Sequence, residues 1–149
     1  QIAKLFLRLT IVASMLSSVA DRFGIWAKEV CMWGDMDKFV AYTQSLIPYI
    51  PADVVPILAW TATVLEVLFS LCLLLGLKLK WTASLTGLMI LVFAIAMATS
   101  VGIKAPLNYS AFTASAAAFG ILACGNGIWE VNNLIGNRHH KGRRIQMIR

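Results

Sequence analysis

The chain has 149 residues, of which 59% are hydrophobic and only 13% are charged, and its mean hydropathy is +0.76. Soluble domains average about 25% charged residues, so this composition excludes an ordinary soluble protein and indicates an integral membrane protein with one domain. The net charge of +6 lies at the ends of apolar runs and near the C-terminus, a distribution that indicates membrane topology and lipid contact rather than nucleic-acid binding.

The first apolar segment covers residues 2–20 and predicts a transmembrane helix with Arg8 inside its start. It ends at residues 20–24, Ala-Asp-Arg-Phe-Gly, where the glycine predicts a helix stop. Because the chain begins with Gln1 rather than Met, we expect residues to precede it. No A-x-A cleavage site followed by a soluble domain is present, so we do not interpret this segment as a cleaved signal peptide.

A long polar and aromatic loop follows at residues 25–53, and it is too long for a simple turn between bundle helices. Within it, residues 36–47 carry apolar side chains at helical spacing. This pattern predicts a short amphipathic helix that either lies on the membrane surface or caps the bundle.

Three more apolar segments complete the predicted fold. Residues 54–77 are apolar or small apart from Glu66, residues 81–101 carry no charge, and residues 107–124 are rich in Ala and Ser. Small residues in the last two segments predict close helix packing, either within the bundle or against a partner. The prediction is an all-α membrane protein, a bundle of four transmembrane helices with an amphipathic interfacial helix in the first extracytoplasmic loop.

The basic residues predict the orientation of the bundle. One side carries Lys4, Arg8, Lys78, Lys80, Arg138, Lys141, Arg143, Arg144 and Arg149, and the other carries Arg22, Lys28, Lys38 and Lys104. This excess places both termini in the cytoplasm of a multi-pass protein, for which we expect a bacterial cytoplasmic (inner) membrane. Residues 1–137 are predicted to form the membrane domain, with a short interfacial piece at 128–135, and residues 138–149 a basic cytoplasmic tail.

Glu66 is the leading site candidate, because it falls near the bilayer centre, where a carboxylate facing lipid costs at least a few kcal/mol. Arg8 is its predicted partner, since Glu66 is roughly 16 Å deep and Arg8 roughly 9 Å, and a long side chain bridges much of that difference. A functional pair would exchange protons or bind a quinone headgroup. A structural pair would fix the first helix against the second, and the sequence leaves both interpretations open.

Asp21, Arg22 and Tyr109 are further candidates on the outer side. The first two either join Glu66 in lining an outward-facing pocket or form a solvated pair at a helix end. Tyr109 either hydrogen-bonds a ligand or anchors its helix at the interface. The sequence identifies no catalytic residue, and it has no metal-ligand spacing, Gly-rich phosphate loop or Ser/His/Asp set.

The three cysteines include no C-x-x-C pair, so they predict no disulfide framework. Cys31, in the outward loop, either carries a persulfide, forms a disulfide with a partner, or is a free thiol. Cys72 and Cys124 are predicted to be packing residues. The two histidines, His139 and His140, are adjacent in the basic tail, which excludes a bis-His haem inside the bundle.

The early Arg8, the helix stop at residues 20–24 and a second helix reading LAWTATVLEVLFSLCLLLGLKLKWTA resemble the DoxX family. The resemblance extends from about Leu5 to Gly125 and implies a four-helix membrane bundle. Some members of this family belong to thiosulfate:quinone oxidoreductases or to membrane redox complexes.

This resemblance implies an integral subunit of a quinone-linked redox complex, with little or no chemistry of its own. It implies other membrane subunits and the lipid bilayer as partners, with quinone as a candidate ligand and no cofactor bound by this chain alone. The alternatives are a structural or assembly subunit of another large membrane complex, and a membrane protein that binds a small molecule or lipid. Whether the chain is an enzyme stays open.

Overall fold

A computed structural model describes residues 2–124, and every regular element in that range is a helix. The helices are α1 (Ile2–Arg22), α2 (Met36–Leu46), α3 (Val55–Leu75), α4 (Leu79–Ser100), α5 (Lys104–Asn108) and α6 (Ala111–Ala123). Helices α1, α3 and α4 have 21, 21 and 22 residues and are long and apolar enough to cross a membrane. At about 1.5 Å per residue each spans a hydrocarbon core of roughly 30 Å, which makes this a multi-pass membrane protein. The predicted segment 128–135 and tail 138–149 lie outside the described residues.

The long helices alternate in direction. Helix α3 ends at Gly76, whose φ of 68° lies in the left-handed region that glycine favours, and α4 begins three residues later. The start of α1 contacts the end of α3, because Arg8 donates to the carbonyl of Leu73. Helix α6 likewise packs its end against the start of α4, where Ile121 and Leu79 share one apolar cluster.

The core consists of two apolar layers between the helices. The first contains Ile11, Val12, Met15, Leu73, Leu79, Ala83, Ala118 and Ile121, and the second contains Leu46, Ala94, Met97 and Ala111. Small residues bring α4 and α6 so close that the Ser115 hydroxyl donates to the carbonyl of Gly87 at 2.8 Å. The small residues of these two helices therefore pack inside the bundle, which was one of the two predicted alternatives.

The predicted amphipathic helix is confirmed as α2. Asp35 caps its first turn by accepting a hydrogen bond from the backbone N–H of Lys38 at 2.8 Å, and this bond is the main reason that the pKa of Asp35 is lowered. The helix packs on α3 and α4, and its buried side chains are Phe39 and Leu46. These contacts indicate that α2 caps one end of the bundle.

The predicted fourth segment, residues 107–124, is not one continuous helix. It is divided into α5 and α6 at Tyr109 and Ser110, and Ser110 has a φ of 53°. Asn, Tyr and Ser favour helices weakly, partly because short polar side chains compete for backbone hydrogen bonds, so the apolar run breaks here. Helix α6 has 13 residues, about 20 Å, which is shorter than a full span.

Candidate functional site

Glu66 of α3 forms a buried ion pair with Arg22, the last residue of α1. The Arg22 Nη2 donates to Glu66 Oε1 at 3.0 Å, and Nη1 lies 2.7 Å from Glu66 Oε2. Arg22 Nη1 also donates to the hydroxyl of Thr63 at 2.7 Å. The two charged residues are only 3% and 4% exposed, so the pair is closed to solvent and to lipid.

Aromatic side chains from the loop and from α2 cover this pair. The guanidinium carbon of Arg22 lies 3.7 Å from the ring centroid of Phe39 and 5.7 Å from that of Trp33. A cation over an aromatic face is attracted by the ring quadrupole, more strongly when both are desolvated. The same arginine thus joins α1 to α3 and holds the α2 cap against them.

The prediction that Arg8 is the partner of Glu66 is wrong, because Arg22 takes that place. Arg8 instead donates from Nε to the carbonyl of Leu73 at 2.9 Å and from Nη2 to that of Leu74 at 3.1 Å. These carbonyls belong to the last turn of α3, which carries the negative end of the helix dipole and where carbonyls lack the usual partners within the helix. The Leu73 carbonyl also accepts the N–H of Gly76 at 3.2 Å. Arg8 therefore acts, in these contacts, as a cap on the C-terminus of α3.

Asp21 anchors the loop that follows α1. Its carboxylate accepts the backbone N–H groups of Met32 and Trp33 at 3.0 to 3.2 Å. Gly24, with φ of 64°, brings the chain so close to Gly34 that a Cβ there would lie 2.8 Å from the Gly34 carbonyl oxygen. Asp21 is buried, as is Arg22, so the predicted alternative of a solvated pair is wrong.

A groove of about 530 Å³ opens beside this loop. Its lining combines hydroxyl, carboxylate and aromatic groups: Ser14, Ser17, Ser18, Asp21, Trp26, Val30, Met32, Trp33 and Tyr109. The structure thus brings Asp21 and Tyr109 together in one groove, but Arg22, which the outward-pocket interpretation also placed there, does not line it. Glu66 does not line the groove, but Trp33 does, and the same residue lies over Arg22.

Cys31 lies on the same loop, and its thiol donates to the carbonyl of Trp26 at 3.2 Å. Partial burial and the neighbouring Asp21 carboxylate raise the pKa of Cys31 above its ordinary value. The thiolate is the nucleophilic form of cysteine, so this environment disfavours persulfide chemistry. The structure contains Cys31 as a free thiol.

Three residues of the site were missed by the sequence analysis. Thr63 precedes Glu66 by three residues and so shares its helix face, a spacing that was visible in the sequence. Phe39 and Trp33 reach Arg22 only because the loop folds back over the end of α1. No local pattern in the sequence encodes that return.

Comparison with known proteins gives one family. A family model described as DoxX matches residues 3–100, well over half of the chain. The matched range includes α2 to α4 and all of α1 except Ile2, and hence the pair of Arg22 and Glu66. Neither the curated proteins nor the solved structures contain a match to this chain.

Proposed function

The chain belongs to the DoxX family, and from this premise we propose that it is an integral membrane subunit that binds a quinone for a membrane redox complex. Its own residues bind and position the ring, and the electron transfer takes place on partner subunits. The bundle is completed by a fourth span that includes α6, both termini lie in the cytoplasm, residues 138–149 form a basic tail, and the membrane is a bacterial inner membrane.

The observation that supports a quinone is the groove at the outer end of α1. A quinone headgroup is a flat ring with two carbonyl oxygens, and it fits a site that offers aromatic faces together with a few hydroxyl donors. Trp26, Trp33 and Tyr109 supply the rings. Serines on the exposed face of α1 supply hydroxyls, and the apolar tail of a quinone reaches this face directly from the lipid.

The buried ion pair has a supporting role in this proposal. Because Phe39 and Trp33 cover Arg22, a quinone ring does not contact Glu66 unless the α2 cap moves. The pair fixes the position of Trp33, which is one wall of the groove. Glu66 remains a proton-exchange candidate, and Glu66→Gln separates the roles when quinone affinity and Tm are measured beside activity. A loss of quinone-dependent activity with unchanged affinity and Tm indicates that the carboxylate takes part, and a joint loss of all three indicates a structural role.

The test is quinone binding to the purified protein in detergent. We expect a short-chain benzoquinone, titrated by calorimetry, to bind the unmodified protein and to bind Tyr109→Ala at least about tenfold more weakly, a loss of about 1.4 kcal/mol. Tyr49→Ala is the matched control, since Tyr49 is 77% exposed and does not line the groove. Equal affinities of the two variants would refute the groove as the quinone site.

A second candidate function is that of an assembly subunit without a ligand. It is favoured because these charged side chains make structural contacts within the chain. Asp21 holds the loop, Arg22 holds α2 and α3, and Arg8 caps α3. Gentle extraction from the native membrane separates the two functions. An assembly subunit elutes in a large particle whose mass falls in the Glu66→Gln variant, while quinone binding by the isolated chain is absent throughout.

A further inference from the structure

The face of α3 that points into the bundle carries three polar side chains in succession. Thr63, Glu66 and Ser70 are spaced three and four residues apart, which places them on one helix face. They are 2%, 4% and 0% exposed. Thr86 of α4 is also fully buried, so a polar layer crosses the interior between these helices.

Several helical hydroxyls in the described chain donate to a backbone carbonyl one turn earlier. Thr10, Thr43, Thr63, Ser84 and Thr99 all do so. Ser70 and Thr86 do not, and neither hydroxyl has a hydrogen-bond partner among the described residues. Glu66 Oε2 likewise accepts no hydrogen bond of good geometry, although Arg22 lies close to it.

The three residues that carry these oxygens lie within about 6 Å of one another in depth, with Thr86 between the other two. Ser70 is five residues before the end of α3, Thr86 is seven residues after the start of α4, and the connection between the helices is short. At 1.5 Å per residue the two hydroxyl-bearing residues differ in height by roughly 3 Å, and Glu66 lies about one turn beyond Ser70. One turn away in the other direction, Leu73 and Ala83 share the same apolar cluster, so both helix faces point into the same interior.

Buried polar atoms without partners are rare in folded proteins, because each costs free energy unless protein or ordered water satisfies it. An internal water needs two to four polar partners in a roomy polar site. Two hydroxyl donors and one carboxylate oxygen match that requirement. Thr86 and Ser70 would donate to the water, and the water would donate to Glu66.

We propose that Ser70, Thr86 and Glu66 Oε2 bind internal water between α3 and α4. This site gives the buried carboxylate a second hydrogen-bonding partner besides Arg22. It also connects Glu66 to a species that carries protons, which the closed ion pair alone does not. The proposal concerns the interior of the bundle and does not depend on quinone binding in the groove.

The experiment is thermal unfolding of the purified full chain in detergent with Ser70→Ala, Thr86→Val and the double variant. Thr86→Val keeps the shape and removes the hydroxyl, so a bound water loses a partner. We expect each single variant to lower Tm and the double variant to lower it by less than the sum, because both hydroxyls share one water. Thr99→Val is the matched control, since its hydroxyl is exposed and bonds to its own helix.

An unchanged or raised Tm in the single variants would overturn the proposal. Removing a buried hydroxyl that has no hydrogen-bond partner does not destabilise a protein, whereas removing one that binds a water does. Strictly additive losses would overturn the shared site. A structure of the unmodified protein at a resolution that shows ordered water gives an independent result if the variants fail to fold. Density within hydrogen-bond distance of the three oxygens supports the site, and a side-chain rotamer that bonds Ser70 or Thr86 to its own helix refutes it.

Discussion

Arg22 connects three parts of the chain that are distant in sequence: α1, where it resides, Glu66 on α3 and Phe39 on α2. Its planar guanidinium suits this position better than a lysine ammonium does, because it donates in two directions while its face stacks on a ring. A buried ion pair need not stabilise a protein relative to apolar residues of the same size. Removing one partner alone, however, leaves an uncompensated buried charge.

Arg22→Met therefore tests the pair at the residue scale. We expect it to lower the free energy of unfolding by about 3–5 kcal/mol, because Glu66 is left buried without its cation. The measurement is unfolding of the purified protein in detergent, followed by circular dichroism.

The double variant Arg22→Met/Glu66→Leu should recover most of that loss, because it leaves no buried charge. Lys38→Met is the control, since Lys38 and its partner Asp35 are exposed and unfolding should not change. A double variant that is less stable than Arg22→Met would contradict this account of the pair.

At the scale of the helices, the sequence predicted where each long helix begins and ends, but it did not predict which faces of the helices meet. The ends of α1, α3 and α4 lie within two residues of their predicted positions, because charged or glycine-containing stretches interrupt otherwise apolar runs. Helix α3 is apolar on all faces apart from a few polar residues, so its periodicity did not indicate which arginine meets Glu66. The break at Ser110 depends on one left-handed residue, which composition does not reveal.

The contact between α4 and α6 is the element-scale feature that a substitution tests best. A Cβ at Gly87 would lie 3.0 Å from ring carbons of Phe119, so a larger side chain has to displace this ring and crowds the interface beside the Ser115 hydrogen bond. We expect Gly87→Leu to lower the free energy of unfolding by about 1–3 kcal/mol. Thermal unfolding in detergent measures this.

Ala116→Leu is the matched control, because Ala116 is a small residue on α6, the other helix of this pair, and its side chain is exposed. It adds three of the four carbon atoms that Gly87→Leu adds, at an exposed position, so its Tm should stay near that of the unmodified protein. If Gly87→Leu were as stable as Ala116→Leu, α4 and α6 would not pack as closely as described.

At the scale of the whole molecule, the charged residues form two groups, one at each end of the bundle. Arg8 lies at the end where α3 turns into α4, together with Lys78 and Lys80. Arg22, the loop and α2 lie at the other end. Lys4, Arg8, Lys78 and Lys80 at the first end are balanced by Arg22, Lys28, Lys38 and Lys104 at the other. The prediction that the first end faces the cytoplasm therefore rests on the basic residues of 138–149, which the sequence assigns to the same side. The groove would then open near the outer surface.

Cysteine labelling in intact cells tests that orientation. In a chain whose own three cysteines are replaced by alanine, Lys28→Cys and Lys80→Cys place one thiol at each end, and both positions are exposed. A maleimide that does not cross membranes should label Lys28→Cys in intact cells and Lys80→Cys only after permeabilisation. The reverse pattern would place the groove on the cytoplasmic side. A quinone bound there would exchange protons with the cytoplasm, and a partner subunit that exchanges electrons with it would have to reach the cytoplasmic face. This result therefore decides on which side of the membrane a redox partner is to be sought.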